Sequence, residues 1–253
     1  MNVLAFFAHP DDETMMAGGA LALLARQGIN VHYYCATRGE GGEVGEPPVC
    51  PVEELGAVRE AELVCAVKVL GGSSLTFLGY VDPRVGSDNT LYPFDANLTM
   101  LAGQVAASIQ QHRPAAVFSH GSNGEYGHPA HLLMHQAVAI AVASLGEEAP
   151  LWYTANAAYP EHPRPRLMNQ DDPAHLVLDI APWRDQKVQA VFCHKTQNAM
   201  FVRNSSKDAG RMLTIPEVIL PTESFRRAHP PVPAGAQPDD EIARMLSANI
   251  HIG

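Results

Sequence analysis

The chain lacks the marks of several large protein classes. No GxSxG elbow occurs, which argues against the common serine hydrolase arrangement. No glycine-rich fingerprint follows the first strand-like run. His-Pro-Asp-Asp stands there instead, and its negative charge would repel a pyrophosphate, so a nucleotide-binding module is disfavoured. Cysteine is scarce: Cys35, Cys50, Cys65 and Cys193 are scattered, with no CxxC pair. Cys35 and Cys65 lie in apolar segments and read as small buried hydrophobes, which suits a reduced, cytoplasmic protein. Cations are short too, with 17 Lys and Arg against 27 Asp and Glu and a net charge of −10. Nucleic acid and anionic membrane surfaces both want a positive patch, so neither is the expected main partner. No basic segment with a following apolar stretch and cleavage site opens the chain, so no signal peptide is read. No apolar run is long enough to suggest a membrane span; the longest, near 137–145, fits a buried helix better.

What the chain does have is a globular composition, 46% hydrophobic and 17% charged, over 253 residues. That length suits one large α/β domain, or one domain with a modest appendage. Apolar runs of strand length at 3–8, 31–36, 75–78, 115–119 and 151–155 alternate with helical patterns at 15–27, 53–70, 93–112 and 129–145. The runs are continuous rather than alternating, which predicts strands covered on both faces. Gly28, Gly71-Gly72 and Gly146 supply stop signals. The rhythm predicts a Rossmann-like, mostly parallel sheet with helices on both faces, a three-layer sandwich. Later, 175–180 reads as a strand, 183–197 as a helix, 228–238 as a proline-rich arm and 239–247 as a short helix. The arm could reach over a second copy, so a homo-oligomer is compatible with the sequence.

Ligands of such sheets bind beyond the carboxyl ends of the strands. The polar clusters all fall there: His9 to Glu13 after the first strand, 37–43 after the second, 79–82 after the third and 120–131 after the fourth. Long loops at 38–52 and 80–92 share that edge. His9 and Asp12, three apart at a helix start, can aim at one point, and His131 can reach it from the opposite loop. Zinc binds such nitrogen and oxygen donors and keeps one position open in a catalytic site. Asp11 diverges from Asp12 and is free to take a proton. His128, on the same turn as His131, could steady an oxyanion if protonated. An isolated Asp-Asp-Glu would more simply cap a helix. The imidazoles around it favour the metal. For Arg59 alone, an ion pair with Glu62 is the simpler reading.

The ordered set Ala8-His9-Pro10-Asp11-Asp12-Glu13, Thr37-Arg38-Gly39-Glu40, Arg59 with Glu62, Leu78-Gly79-Tyr80-Val81-Asp82, Gly127-His128-Pro129-Ala130-His131 and His194-Lys195-Thr196-Gln197 resembles the LmbE-like (PIG-L) zinc-dependent N-deacetylases. The resemblance covers residues 1–145 well and the rest thinly. It implies an LmbE-like deacetylase domain over 1–200, with 201–253 as an extension packed on it or extending from it. It implies zinc, with Fe2+ or Mn2+ also suited, held by His9, Asp12 and His131. Asp11 matches the general base, His128 the oxyanion-stabilising or acid imidazole, and Tyr126 a mobile tyrosine. Arg59, Glu43 and Asp82 match sugar-contacting positions. The implied reaction removes an acetyl group from an N-acetylglucosamine-type conjugate; an amidase acting on a thiol conjugate or another N-acyl amine is the alternative. One position departs: many relatives carry Asp where this chain has Ala130, and that carboxylate would raise and orient a neighbouring imidazole.

Overall fold

The apolar runs become strands because helices cover both of their faces. In β1 (Asn2–Phe7), residues Val3 to Phe7 are all buried. A computed structural model describes residues 1–86, 88, 90–233 and 235–247. With β1 it forms a parallel set of β2 (Asn30–Thr37), β3 (Ser74–Tyr80), β4 (Ala116–Ser119) and β5 (Leu151–Ala155). A small separate pair, β6 (Ala157–Ala158) and β7 (Asn169–Pro173), follows. Two more strands, β8 (Leu176–Asp179) and β9 (Thr222–His229), complete a seven-stranded sheet in the order β3-β2-β1-β4-β5-β9-β8. β9 runs antiparallel to both neighbours. The mostly parallel sheet of the sequence expectation is therefore observed.

The helices are α1 (Asp12–Arg26), α2 (Leu55–Val69), α3 (Leu98–His112), α4 (Gly124–Gly127), α5 (Pro129–Leu145), α6 (Arg184–Cys193), α7 (Lys195–Ala209), α8 (Ile215–Val218) and α9 (Glu241–Ser247). Alternation along β1 divides the core in two. Val3, Ala5 and Phe7 pack with Leu21 and Leu24 of α1, Leu63 and Val67 of α2, Ala190 of α6 and Ile242 of α9. Leu4 and Phe6 pack on the other face with Leu101 and Val105 of α3 and Met134 and Val138 of α5. α5 starts on Pro129, whose missing N–H costs nothing at a first helical position. The segment Pro129–Glu148 is long and apolar enough to cross a bilayer by composition. Here its buried residues, from Ala130 to Val142, recur every three or four positions against the sheet and α3.

Four details differ from expectation. The helix expected at 93–112 begins at Leu98, where the Asn97 side chain accepts the Met100 N–H at 3.2 Å. The helix expected over 183–197 is two helices broken at His194. β9 replaces the start of the expected arm. Its Glu223, Arg226, Arg227 and His229 hide a strand from an apolar-run criterion. Cys65 is not a lone buried hydrophobe: it is bonded to Cys193, joining α2 to the end of α6, so the fully reduced state expected above does not hold. Residue 200 falls inside α7, and β9 from the last quarter sits inside the sheet.

Candidate functional site

Strand order reverses between β1 and β4, since β2 and β3 lie on one side and β5 on the other. Open α/β sheets bind ligands at such a switch point. Two motifs 122 residues apart meet there. His9 Nδ1 lies 3.3 Å from His131 Nε2. Between them Asp12 presents Oδ2 at 3.3 Å from His9 Nδ1 and Oδ1 at 3.3 Å from His131 Nε2. All three residues are buried. A tetrahedral zinc with bonds of about 2.0–2.1 Å needs donor separations of about 3.3–3.4 Å. The donor set therefore fits the ion that the sequence implied. Two other trios, His9 with His128 and His131, and Asp12 with His120 and His131, also bring donor atoms within 4.8 Å. His120 has no lone pair to spare: its Nε2 accepts the Ala8 N–H at 3.0 Å, and its Nδ1–H donates to Glu125 at 3.1 Å.

These side chains are held from behind. His9 Nε2 donates to Asp82 Oδ1 at 3.2 Å, leaving Nδ1 free to face Asp12 and His131. Burial lowers the His9 pKa, but the carboxylates of Asp12 and Asp82 outweigh it and raise it to about 9. Asp82, expected at the sugar, thus lies against a histidine while still lining the cavity. His131 Nδ1 donates to Glu125 Oε2 at 2.7 Å. Glu125 also accepts from His120, from the Gly121 N–H at 3.0 Å and from Asn169 Nδ2 at 3.1 Å. Its backbone stands at φ 61°, ψ −77°, a strained conformation for a side-chain-bearing residue. These bonds and the Asn169 Oδ1 that accepts its N–H at 3.0 Å hold it there. Carboxylate partners of this kind fix the tautomer and direction of a metal-binding imidazole. Sequence reading missed Glu125, His120 and Asn169. The only available signal was an acidic residue beside the second histidine motif.

Asp11 occupies the turn into α1 at φ 122°, again outside ordinary geometry. Its Oδ2 accepts Arg59 Nη2 at 3.0 Å. Burial raises its pKa to about 6, against the opposing pull of the Arg59 charge. Arg59 is itself buried and also donates to the carbonyls of Pro10 and Gly39, at 2.6 and 3.0 Å. It pins the carboxylate of Asp11 between two loops. It does not pair with Glu62, which instead accepts the N–H and hydroxyl of Thr196 at 2.9 and 2.7 Å. Gln197 donates to the Glu43 carbonyl at 2.7 Å, and the Glu43 side chain pairs with Arg203 at the cavity edge. His194 is fully buried, its Nε2 3.3 Å from Thr14 Oγ1, and its Nδ1 has no hydrogen-bond partner among the described residues. A Cβ at Gly41 would collide with the Pro83 carbonyl, so only glycine lets the two long loops meet there.

His128 stacks on His131 with ring centroids 4.5 Å apart. Its Nδ1 accepts the Ala130 N–H at 3.2 Å, so the neutral ring carries its proton on Nε2. Burial, with the nearby imidazoles, lowers its pKa to about 3. No carboxylate at position 130 counters this. Burial thus favours at His128 the neutral ring, a donor at Nε2, over the protonated form that the sequence left as a condition. Tyr126 is half exposed, its ring 5.7 Å from those of both His128 and His131. His135 turns to the His120 carbonyl at 3.0 Å.

The family profile of the PIG-L GlcNAc-PI de-N-acetylases matches residues 4–142. A 1D-myo-inositol 2-acetamido-2-deoxy-alpha-D-glucopyranoside deacetylase of Mycobacteroides abscessus is 29% identical over 94% of this chain and 96% of its own. An enzyme of the same name from Mycobacterium sp. (strain JLS) is 31% identical over 78% of this chain and 74% of its own. Two solved structures share the fold. The 4-carboxy-2-hydroxymuconate hydratase GalB of Pseudomonas putida KT2440 has a TM-score of 0.63 at 23% identity, covering 91% of this chain and 97% of its own. N,N'-diacetylchitobiose deacetylase of Pyrococcus horikoshii has 0.59 at 18%, covering 89% and 82%. A hydratase and a deacetylase on one fold leave the reaction to be argued from the site. With its profile matched over more than half its length, the chain belongs to the PIG-L family of GlcNAc-PI de-N-acetylases.

Proposed function

We propose that the protein is a zinc-dependent hydrolase that removes the acetyl group from an N-acetylglucosamine-type conjugate. The observation that carries this is the meeting of His9 Nδ1 and His131 Nε2 at 3.3 Å, each 3.3 Å from one oxygen of the Asp12 carboxylate, at the switch point with Asp11 beside them. Bound there, zinc would polarise the amide carbonyl and acidify water. Asp11, held by Arg59, takes the proton of the attacking water and returns it to the departing amine. The neutral His128 donates its Nε2–H to the oxygen that gains charge as the carbonyl becomes tetrahedral. The Tyr126 hydroxyl serves the same oxygen. Arg59 acts by orienting Asp11, and Asp82 by orienting His9, so both bear on the substrate through another residue. Glu43 closes the cavity edge.

The test is acetate release from a panel of N-acetylglucosaminides by the zinc-loaded protein. Release is expected, with loss after chelation and return on adding zinc. A metal-replete, folded protein that releases no acetate from any of them would refute the proposal.

A further inference from the structure

Glu13 follows Asp11 and Asp12 in the chain, yet no step of the proposed reaction uses it. It is 3% exposed and carries a carboxylate into the interior, an unfavourable place for one without donors. Three donors reach it. Its Oε2 accepts the Asp11 N–H at 3.0 Å. Its Oε1 accepts the hydroxyl of Thr14. His194 Nε2 lies 3.4 Å from the same oxygen and 3.3 Å from Thr14 Oγ1. Thr14 has one hydroxyl proton and donates it to Glu13, so the imidazole is the donor to that pair. Thr14 and His194 are both fully buried, and His194 stands at the break between α6 and α7.

Asp11 is the N-cap of α1, where an aspartate ordinarily gives its carboxylate to a helix N–H. Here it makes no such bond. The carboxylate goes to Arg59 and lines the cavity instead. Glu13 meanwhile reaches back to the Asp11 N–H, as the acid of a capping box does. The helix start is thus secured without the side chain of Asp11, which stays available for chemistry. On its other side the Asp11 carbonyl accepts the Met15 N–H at 2.8 Å. These two bonds fix the peptide planes that meet at Asp11, and so hold its φ at 122°. A side-chain-bearing residue is strained there and swings away when an anchor is lost.

We propose that Glu13, set by Thr14 and His194, is a positioning residue for Asp11: by holding the Asp11 N–H it keeps the strained turn that aims the Asp11 carboxylate into the site. The proposal rests on the reading of Asp11 as the base.

The test is a double-mutant cycle in the zinc-loaded full chain, with acetate release, zinc affinity and circular dichroism read on the same preparations. Glu13→Ala should lower kcat by about tenfold to a hundredfold, the scale of a reacting group displaced by about 1 Å, with KM and zinc affinity held within about threefold. On the Asp11→Asn background the same change should cost less than about twofold, because the group it positions is gone. Glu13→Gln keeps an oxygen for the Asp11 N–H and should recover most of the lost turnover. Thr14→Val removes one donor, keeps the shape, and should lower kcat by about threefold or more with the same dependence on Asp11. A crystal structure of metal-free Glu13→Ala should show Asp11 away from φ 122° and parted from Arg59; if that variant does not fold, the cycle and the structure are read on Thr14→Val. Equal losses with and without the Asp11 carboxylate would make Glu13 a general support of the fold and overturn the proposal. So would zinc affinity lost in step with kcat, a Glu13→Gln protein as slow as Glu13→Ala, or an unmoved Asp11 turn in the crystal. The crystal needs no turnover, so a protein that releases no acetate sinks the proposed reaction by a separate measurement, and wild-type turnover in Asp11→Asn sinks the base.

Discussion

Replacing Glu125 by Gln should weaken zinc binding without touching a ligand. The carboxylate accepts four N–H groups: His131 Nδ1, His120 Nδ1, the Gly121 amide and Asn169 Nδ2. Ala is the wrong probe, because it leaves buried donors unsatisfied at about 1–3 kcal/mol each and invites unfolding. Gln keeps the shape and one oxygen. If that oxygen stays with Gly121 and Asn169, the amide nitrogen replaces Oε2 and faces two imidazoles as a donor. His131 can accept at Nδ1 only by moving its proton to Nε2. That is the atom 3.3 Å from both His9 Nδ1 and Asp12 Oδ1, and a metal needs its lone pair. Losing such a partner typically costs about 10–100-fold in metal affinity, or about 1.4–2.7 kcal/mol. The assay is competition for zinc against a chromophoric chelator at neutral pH, with circular dichroism as the folding check. The visible spectrum of the cobalt-loaded protein reports on coordination. A folded Glu125→Gln protein with wild-type zinc affinity and an unchanged cobalt spectrum would refute the reasoning.

Asp11→Asn should keep zinc and lose turnover by about 10²–10⁴-fold, the usual weight of a positioned base; metal analysis and acetate release on one preparation decide it, and retained turnover removes Asp11 from the role. Because burial raises the Asp11 pKa to about 6, the carboxylate holds its proton below that pH and cannot accept another. A plot of kcat/KM against pH should therefore fall on the acid side at or below about pH 6, the charge of bound zinc adding to that of Arg59; a flat profile down to pH 4 contradicts this. Ala130→Asp places a carboxylate beside His128, whose pKa burial holds at about 3, and should raise it and alter the pH–rate profile; an unchanged profile shows that Ala130 does not set the state of that ring. Lys187→Met leaves Glu223 buried without its cation and should cost about 3–5 kcal/mol in urea unfolding; a loss below 1 kcal/mol would show that the Gly19 and Ala20 amides alone satisfy Glu223.

The sheet was legible because its central strands are buried on both faces, so apolarity alone outlines them. β1 gives the clearest case, with five consecutive residues of no more than 1% exposure. The same logic fails for β9, whose Glu223 is drawn inward by Lys187 and by the Gly19 and Ala20 amides, at 2.7, 2.7 and 2.8 Å. A buried charge in a strand looks like a loop until its partners are placed. The Cys65–Cys193 bridge was invisible for a related reason. Spacing of 128 residues carries no pairing information without the packing of α2 against α6.

At the site, the residues that point at one another were readable, and those that hold them were not. His9, Asp12 and His131 sit at element starts, where short spacings fix directions. Their supports come from unrelated places: Asn169 from β7, Glu125 from a kink with left-handed backbone, Asp82 from the loop after β3. Arg59 shows the limit most sharply. Its helical spacing to Glu62 suggested an ordinary ion pair, yet the two side chains diverge, one to Asp11 and the other to Thr196. Both ties run between segments far apart in sequence, and together they lash α2 to the turn that carries Asp11 and to the start of α7. The strain at Asp11 and Glu125 is then affordable only because these remote bonds over-determine the turns. The proposed chemistry is thus written in two short motifs, while its geometry depends on residues spread to Asn169 and Thr196.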